Sequence, residues 1–414
     1  MSRRASHPAL VVFTHVFPNQ AQPTYGIFVR ERLFRVAEHL PVTVVAPVPW
    51  FPGEGLIRRW RPHYRPLMPY HEVQQGIDVY HPRFLSIPRF FKFTDGLFEA
   101  LFSLPLMRRL KHAGRLDVLD AHFVFPDGVA ASLLARWLRV PYCITLRGTI
   151  VRVSRTRLRK RLAYRALRRA ARVFSVSDSL RQTAIGMGIA ADHVQVVPNG
   201  INLSLFSPED RTQCRERLGL DADAPVLITV GTLSERKGFH RVIGQLPALL
   251  KRYPKLLYLV VGGEHPDGDE QRLRTLAAEL GVSEQVRFLG RQPPEQLRYL
   301  YSAADLFVLP TRFEGWANVF LEAAACGLPS VTTRVGGNAE VICSETLGRL
   351  IDYGDDEALR EAIIEALDTD WDRAAIIAYA RDNAWEQRIP RLVTEFERIH
   401  AQQCQPRPPS ALPD

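Results

Sequence analysis

Two stretches of the chain concentrate residues able to do chemistry. In FVLPTRFEGWANVFLEAAACGLPSVTTRVGG (Phe307–Gly337), Glu314 sits on a loop after a strand-like run and Glu322 lies eight residues later on a helical segment. Asn318 stands at the N-cap position of that helix, so the backbone N–H groups behind it would face an anion. A carboxylate beside an anion site is electrostatically costly, and it makes sense where it accepts hydrogen bonds from sugar hydroxyls. Taken alone, the pair also fits an ordinary loop Glu and a surface-helix Glu. In LITVGTLSERKGFHRVIGQL (Leu227–Leu246), a buried strand ends at Gly231, and Arg236 and Lys237 follow just before a helix. Two cations at a strand's carboxyl end, backed by a helix N-terminus, suit a diphosphate. A solvated basic turn is the plainer alternative.

Other patterns narrow the chemistry by failing to match. The P-loop signature GxxxxGK[ST] is absent, and GxGxxG is not met in VPNGINL (Val197–Leu203) or YLVVGGEHPDGDE (Tyr258–Glu270). The pieces DAD (Asp221–Asp223) and DGD (Asp267–Asp269) lie among turn residues, and no metal ligation is expected of them. Five cysteines, Cys143, Cys214, Cys326, Cys343 and Cys404, form no CxxC pair, so neither a disulfide framework nor a zinc site is expected.

The elements that must position these residues follow a βα rhythm. In the first half, strand-like runs occur at Ala9–Val16, Val42–Ala46, Ile77–His81, Val118–Ala121, Tyr142–Leu146, Val173–Val176 and Val194–Val197. Helical patterns such as Phe28–Leu40 and Gly128–Leu138 lie between them. The segment VVPNGINLSLFSPED then breaks the pattern. A second series follows at Val226–Val230, Leu256–Val261, Val286–Leu289, Leu306–Leu309, Ser330–Thr333 and Leu347–Ile351. The fold class is therefore α/β, with two doubly wound Rossmann-like domains. The expected boundaries are 1–198, 199–371, a helical segment over 372–401 and a Pro-rich, disordered tail over 402–414. Ligands of such sheets bind beyond the strands' carboxyl ends, which would put the site in a cleft between the domains.

The 414 residues are 46% hydrophobic and 24% charged, which excludes global disorder, collagen and coiled coil. No run of about 18 uncharged apolar residues exists, so a polytopic membrane protein is excluded too. The short apolar run at the N-terminus lacks a small-residue cleavage site and reads as a first strand, with a reducing, cytoplasmic location expected. The net charge of +10 is uneven, with 30 Lys and Arg against 12 Asp and Glu in residues 1–200. The stretch Arg152–Arg172 holds ten Lys and Arg in 21 residues, with Leu158, Leu162, Ala166 and Ala170 on one helical stripe. Ile87–Leu106 mixes Phe and Leu with cations. A solvated helix face and ordinary packing explain these features, and so does an anionic membrane surface. No nucleic-acid motif accompanies the charge, and nucleic acid is not an expected partner.

Together GTLSERKG, VVGGE, VRFLG, EGWANVFLEAAACGLPSV and VGGNAEVI resemble the family 4 retaining glycosyltransferases of GT-B fold, over about Val196–Ile342. FPNQAQPTYGIFVRERL resembles the family's glycine-containing loop after the first strand, and DAHFVFPDGVAASLLA with TLRGTI resembles members that build bacterial surface polysaccharides. The resemblance implies a nucleotide-diphosphate-sugar donor, UDP- or GDP-linked, and a carbohydrate or polyprenyl-linked acceptor. It implies that Arg236 and Lys237 bind the donor diphosphate, Glu314 the sugar and Glu322 the ribose. Asn318 and Val319 would line the phosphate–sugar site, Arg287 to Leu289 would border the base, and Gly26 would let backbone approach the phosphates. The final helix would cross back to the first domain.

Many relatives carry His where Arg147 stands, and an arginine can stabilise phosphate charge but cannot act as a base. His122 lies nearby in sequence, with a structural and a substrate-binding role both open. No metal or other cofactor is implied, because the cations take the charge-neutralising role. A nucleotide-sugar epimerase and a non-catalytic nucleotide-sugar binder at a membrane surface are the competing function classes.

Overall fold

The computed structural model describes residues 7–23, 25–60, 64, 67–87, 91–263 and 269–404. Contacts divide the chain into two compact units, residues 1–199 with 388–414, and residues 200–387. The last helix continues through Cys404, into the tail expected to be disordered over 402–414; residues from 405 onward lie outside the described residues, as does Asp267 of the DGD piece.

Among the described residues, unit 1 holds an eight-stranded sheet. Its strands are β1 (Leu10–Phe13), β2 (Val42–Val45), β4 (His71–Gln74), β5 (Ile77–Tyr80), β7 (Val118–His122), β8 (Tyr142–Leu146), β9 (Arg172–Ser175) and β10 (Val194–Val196). They run in the order β10-β9-β8-β7-β1-β2-β5-β4. All neighbours are parallel except β4, which pairs antiparallel with β5. A separate parallel pair joins β3 (Val48–Trp50) to β6 (Arg83–Leu85). Every residue of β1, LVVF, is buried, as expected of a central parallel strand covered on both faces. The short strands β3, β4 and β6 have no counterpart in the sequence pattern; β3 and β6 have only three residues each.

Unit 2 is all-parallel, with β11 (Val226–Val230), β12 (Leu257–Val261), β13 (Val286–Gly290), β14 (Leu306–Leu309), β15 (Ser330–Thr333) and β16 (Gly348–Ile351). The order β13-β12-β11-β14-β15-β16 places β11 and β14 side by side at the centre. The loops that leave these two strands carry Arg236, Lys237 and Glu314. Parallel adjacency thus brings together residues nearly 80 positions apart in sequence. Apolar side chains of β11, β12 and β14 alternate between two core layers, one on each face of the sheet.

Two helical expectations change. The cationic stretch Arg152–Arg172 is not one helix: helices span Thr149–Ser154 and Arg157–Arg169, and Arg172 opens β9. The buried face of the second helix is Ala163, Ala166 and Leu167, whereas Leu158 is 46% exposed. The apolar stripe therefore turns away from the core in its first turn. The segment over 372–401 is likewise two helices, Arg373–Asp382 and Trp385–Cys404. Only residues from 388 onward group with unit 1, where Phe396 meets Phe174 edge-on and Glu395 accepts from Arg172 at 2.5 Å. Among the described residues no helix is long and apolar enough to cross a membrane. Helix Asp95–His112 nevertheless exposes Leu97, Leu101 and Phe102.

Candidate active site

In unit 2 the chain leaves β11 through the 3-10 turn Glu235–Lys237, and Gly238 then opens helix Phe239–Arg252. The loop after β14 lies against that turn, because the Arg312 N–H donates to the Arg236 carbonyl at 2.8 Å; the Thr311 hydroxyl oxygen lies 3.0 Å from the same carbonyl. Three donors then converge on one oxygen of Glu314. Lys237 Nζ lies 2.6 Å from Oε1, Arg236 Nη1 2.8 Å and Thr311 Oγ1 3.2 Å. Burial pushes the Glu314 carboxyl up, but Lys237 and Arg236 outweigh it and hold the group below its ordinary range. A glycine secures the position: Gly336 has φ +52°, and a Cβ there would fall 1.7 Å from the Glu314 carbonyl oxygen.

Glu322 is set differently. It lies in helix Val319–Ala325, and its Oε2 accepts from the Tyr301 hydroxyl at 3.0 Å. Burial pushes its carboxyl up to about 7, against the lowering effects of the Tyr301 hydrogen bond and the Lys237 charge. Asn318 occupies the N-cap position but has helical φ/ψ, and its side chain does not cap the helix amides. Val319 is partly buried against the core beneath the loop, and Leu289 packs on the same cluster. Arg287 spends its guanidinium on the carbonyls of Leu218 and Gly219, at the C-terminal end of helix Arg211–Leu218. That is where a cation best meets the helix dipole.

In unit 1, Gly26 has φ +81° and precedes helix Ile27–Ala37; a Cβ there would fall 2.7 Å from the Val16 carbonyl oxygen. This close approach excludes any other residue without a shift of the first loop. His122 closes β7, and Arg147 follows β8 directly. The two meet, with Arg147 Nη2 3.1 Å from His122 Nδ1, while His122 Nε2 lies 3.1 Å from Asp120 Oδ2. All three are buried.

A second cluster in unit 1 was not anticipated. His15 Nδ1 lies 2.6 Å from Asp127 Oδ1, and ligand-type atoms of His15, Asp127 and Glu99 all fall within 4.8 Å of one another. Glu99 is fully buried, and burial with the facing Asp127 charge pushes its carboxyl well above the ordinary range. In the DAD turn, from which no metal ligation is expected, Asp221 pairs with Lys255 at 2.8 Å and closes its own turn on the Asp223 N–H. Cys143, Cys214, Cys326 and Cys343 are free thiols.

Thr311, Tyr301 and Asp120 also escaped the sequence reading. Thr311 had a usable signal, a hydroxyl immediately after the proline that ends a central strand. Tyr301 had none, since it reaches Glu322 from a different helix.

Two doubly wound, mainly parallel sheets of this kind are the fold of the GT-B glycosyltransferases. Residues 210–383 match the family model for glycosyl transferases group 1, and residues 42–205 match the glycosyltransferase family 4 model. The D-inositol 3-phosphate glycosyltransferase of Acidothermus cellulolyticus is 30% identical over 67% of this chain and 70% of its own length. The protein of Bacillus subtilis that bears the name teichuronic acid biosynthesis glycosyltransferase TuaC is 29% identical over 78% of this chain and 80% of its own. Among solved structures, Anabaena HepE in complex with UDP superposes with TM-score 0.69 at 20% identity, over 95% of this chain and 98% of that one. The chain belongs to glycosyltransferase family 4 and is a glycosyltransferase of GT-B fold.

Proposed function

We propose that this glycosyltransferase moves a hexosyl group, with retention of configuration, from a UDP- or GDP-sugar to a carbohydrate or polyprenyl-linked acceptor in bacterial polysaccharide or glycolipid assembly. The observation that carries this reading is the convergence of Arg236 and Lys237 on Glu314. The two cations neutralise the departing diphosphate, while Glu314 Oε2, which takes none of the three donors, accepts from a sugar hydroxyl. Glu322, paired with Tyr301, takes the ribose hydroxyls. The support for a nucleotide donor from outside the chain is that a neighbour in fold was solved with UDP.

The bond from the anomeric carbon to the diphosphate oxygen breaks, and the acceptor hydroxyl oxygen forms the new bond on the same face. The acceptor proton passes to the leaving phosphate oxygen. Side-chain cations stabilise the charge that develops, so no metal is needed for transfer. The protein works at the cytoplasmic face of the membrane, held by the basic helices of unit 1 and the exposed Leu97, Leu101 and Phe102.

A panel of UDP- and GDP-sugars, screened by calorimetry and then by nucleotide release with and without acceptor, tests the assignment. Release is expected only with acceptor, and it should persist in EDTA. Conversion of the donor sugar without acceptor would make the protein an epimerase. Binding without turnover for any acceptor class would make it a sugar-nucleotide binder. Loss of release on chelation, restored by Mn²⁺ or Mg²⁺, would end the metal-free mechanism.

A further inference from the structure

Asp120 and His122 are two residues apart on β7 and so project from the same face of the strand. A guanidinium can only donate hydrogen bonds, so the 3.1 Å contact from Arg147 Nη2 makes His122 Nδ1 an acceptor. The proton of the neutral ring then sits on Nε2, and Nε2–H donates to Asp120 Oδ2 at 3.1 Å. The two neighbours together fix one tautomer and one ring orientation. Arg147 is further held by its guanidinium packing over the Phe28 ring, 4.7 Å from the centroid. Burial, with help from Arg147 and Arg32, drives His122 down to about 4, so the ring stays neutral at physiological pH.

The charge around this chain of contacts does not balance. Arg32 is 1% exposed and lies over the Phe174 ring, and among the described residues both of its terminal nitrogens lack a hydrogen-bond partner. Arg147 is 5% exposed, and its Nε also lacks one. The electrostatic neighbours of Arg147 are Arg32, which repels it, and Asp120, which attracts it; those of Arg32 are Asp120 and the Cys143 thiol. Two buried guanidinium groups therefore share one carboxylate. A buried cation without a counter-charge is costly. This one stands just past the carboxyl end of β8, at the edge of the sheet where doubly wound folds bind ligands.

We propose that Asp120 and His122 are positioning residues that hold Arg147 as a fixed hook for a phosphate oxyanion, with Arg32 supplying the excess positive charge that makes the hook selective for an anion. The ligand class is a phosphoryl group, either the donor's diphosphate or the phosphate of a lipid-linked acceptor. The choice between these two rests on the proposed function; the hook itself does not.

The tautomer is read from the imidazole ¹⁵N shifts of selectively labelled protein, with His122→Phe as the assignment control. The expected result is a neutral ring protonated at Nε2 down to about pH 5. A proton on Nδ1, or titration above pH 6, would overturn the proposal whether or not the chain has transferase activity.

Binding of UDP and of farnesyl phosphate is then measured by calorimetry in wild type, Arg147→Gln, His122→Phe and the double variant. For one of the two probes, Arg147→Gln should weaken binding by about 10- to 100-fold and His122→Phe by about tenfold. Because His122 acts through Arg147, the double variant should bind no worse than Arg147→Gln alone. The probe that loses affinity identifies the source of the phosphate. Loss for neither probe, or additive losses in the double variant, would overturn the hook. Asp120→Asn, which keeps shape and an acceptor oxygen, guards against misfolding in His122→Phe. It should retain the Nε2–H tautomer and weaken the same probe by a few-fold; an unchanged affinity would remove Asp120 from the chain of contacts.

Discussion

Each unit has a buried carboxylate set near two cations, Glu314 in one and Asp120 in the other, and the two arrangements work in opposite ways. In unit 2, Arg236 and Lys237 bond directly to Glu314, and the carboxylate is held ionised by contact. In unit 1, Asp120 touches neither arginine among its hydrogen bonds and reaches Arg147 only through His122. The first cluster has an acceptor to spare, Glu314 Oε2, because its donors converge on the other oxygen. The second has charge to spare because its arginines outnumber its carboxylate. Direct contact builds a site whose cations are quenched until a ligand competes for them. A relay builds one whose cation stays unquenched but fixed in place.

The largest effect should come from breaking the direct cluster. Arg236→Ala or Lys237→Ala is expected to lower kcat/KM about 10²–10³-fold, the usual scale for one preorganised charge. Near-wild-type steady-state kinetics in both variants would remove them from the diphosphate. The relay should respond more mildly to a change that keeps its charge. Arg147→Lys preserves the cation but loses the planar fork and the packing on Phe28, and about a tenfold loss in kcat/KM is expected. Full activity in that variant would mean that geometry at Arg147 is immaterial, and would erase the contrast with unit 2.

Glu322 sharpens the comparison from a third direction, because it is half-buried, takes a hydroxyl donor from Tyr301 and feels the Lys237 charge without a hydrogen bond to it. Its folded pKa of about 7 lies above the ordinary 4.5. A raised carboxyl favours the protonated form in the fold, so its stabilising contribution is full below about pH 4.5 and is lost as pH rises through 7. Between pH 5 and 8 this should cost on the order of 1–3 kcal/mol. Melting temperatures of wild type and Glu322→Gln across that range should diverge, with the variant flatter. Parallel curves would show that Glu322 titrates normally. The smallest effect concerns the surface charge of unit 1. Reversing Arg159, Lys160 and Arg161 should reduce sedimentation with phosphatidylglycerol vesicles at low salt, by at most about 1 kcal/mol for each charge. Equal recovery with neutral and anionic vesicles in wild type would discard a membrane role for this face.

The parts of the molecule that were legible beforehand share a physical cause. The central strands of both sheets are continuous apolar runs because parallel strands are covered on both faces, and each such run in the sequence corresponds to a strand. The short strands β3 and β4 are not legible: β3 is half-buried throughout, and β4, HEVQ, buries its glutamate and exposes its valine, the reverse of an apolar strand pattern. Arg236, Lys237 and Glu314 could be nominated because each follows a strand end. Their convergence could not be, because it depends on β11 and β14 being neighbours, which is topology and not local pattern. The cationic stretch misled for a related reason. Periodicity continued through Arg155 and Thr156, but the chain breaks there, and Leu158 ends on the outside. His122 and Arg147 were picked out one at a time, whereas Asp120 and Arg32, which give them their setting, look like routine strand and helix residues.

The pairing of Arg236 and Lys237 with Glu314 has a consequence for discrimination. If Arg236 and Lys237 take the donor diphosphate as proposed, an internal carboxylate stands where that anion is to bind. The incoming phosphate would then displace Glu314 from its cations, and the carboxylate would need hydroxyl donors of its own. A sugar nucleotide brings both replacements in one molecule. Free nucleotide or inorganic phosphate brings only the first and leaves Glu314 stranded, so spent product should dissociate more readily than fresh donor.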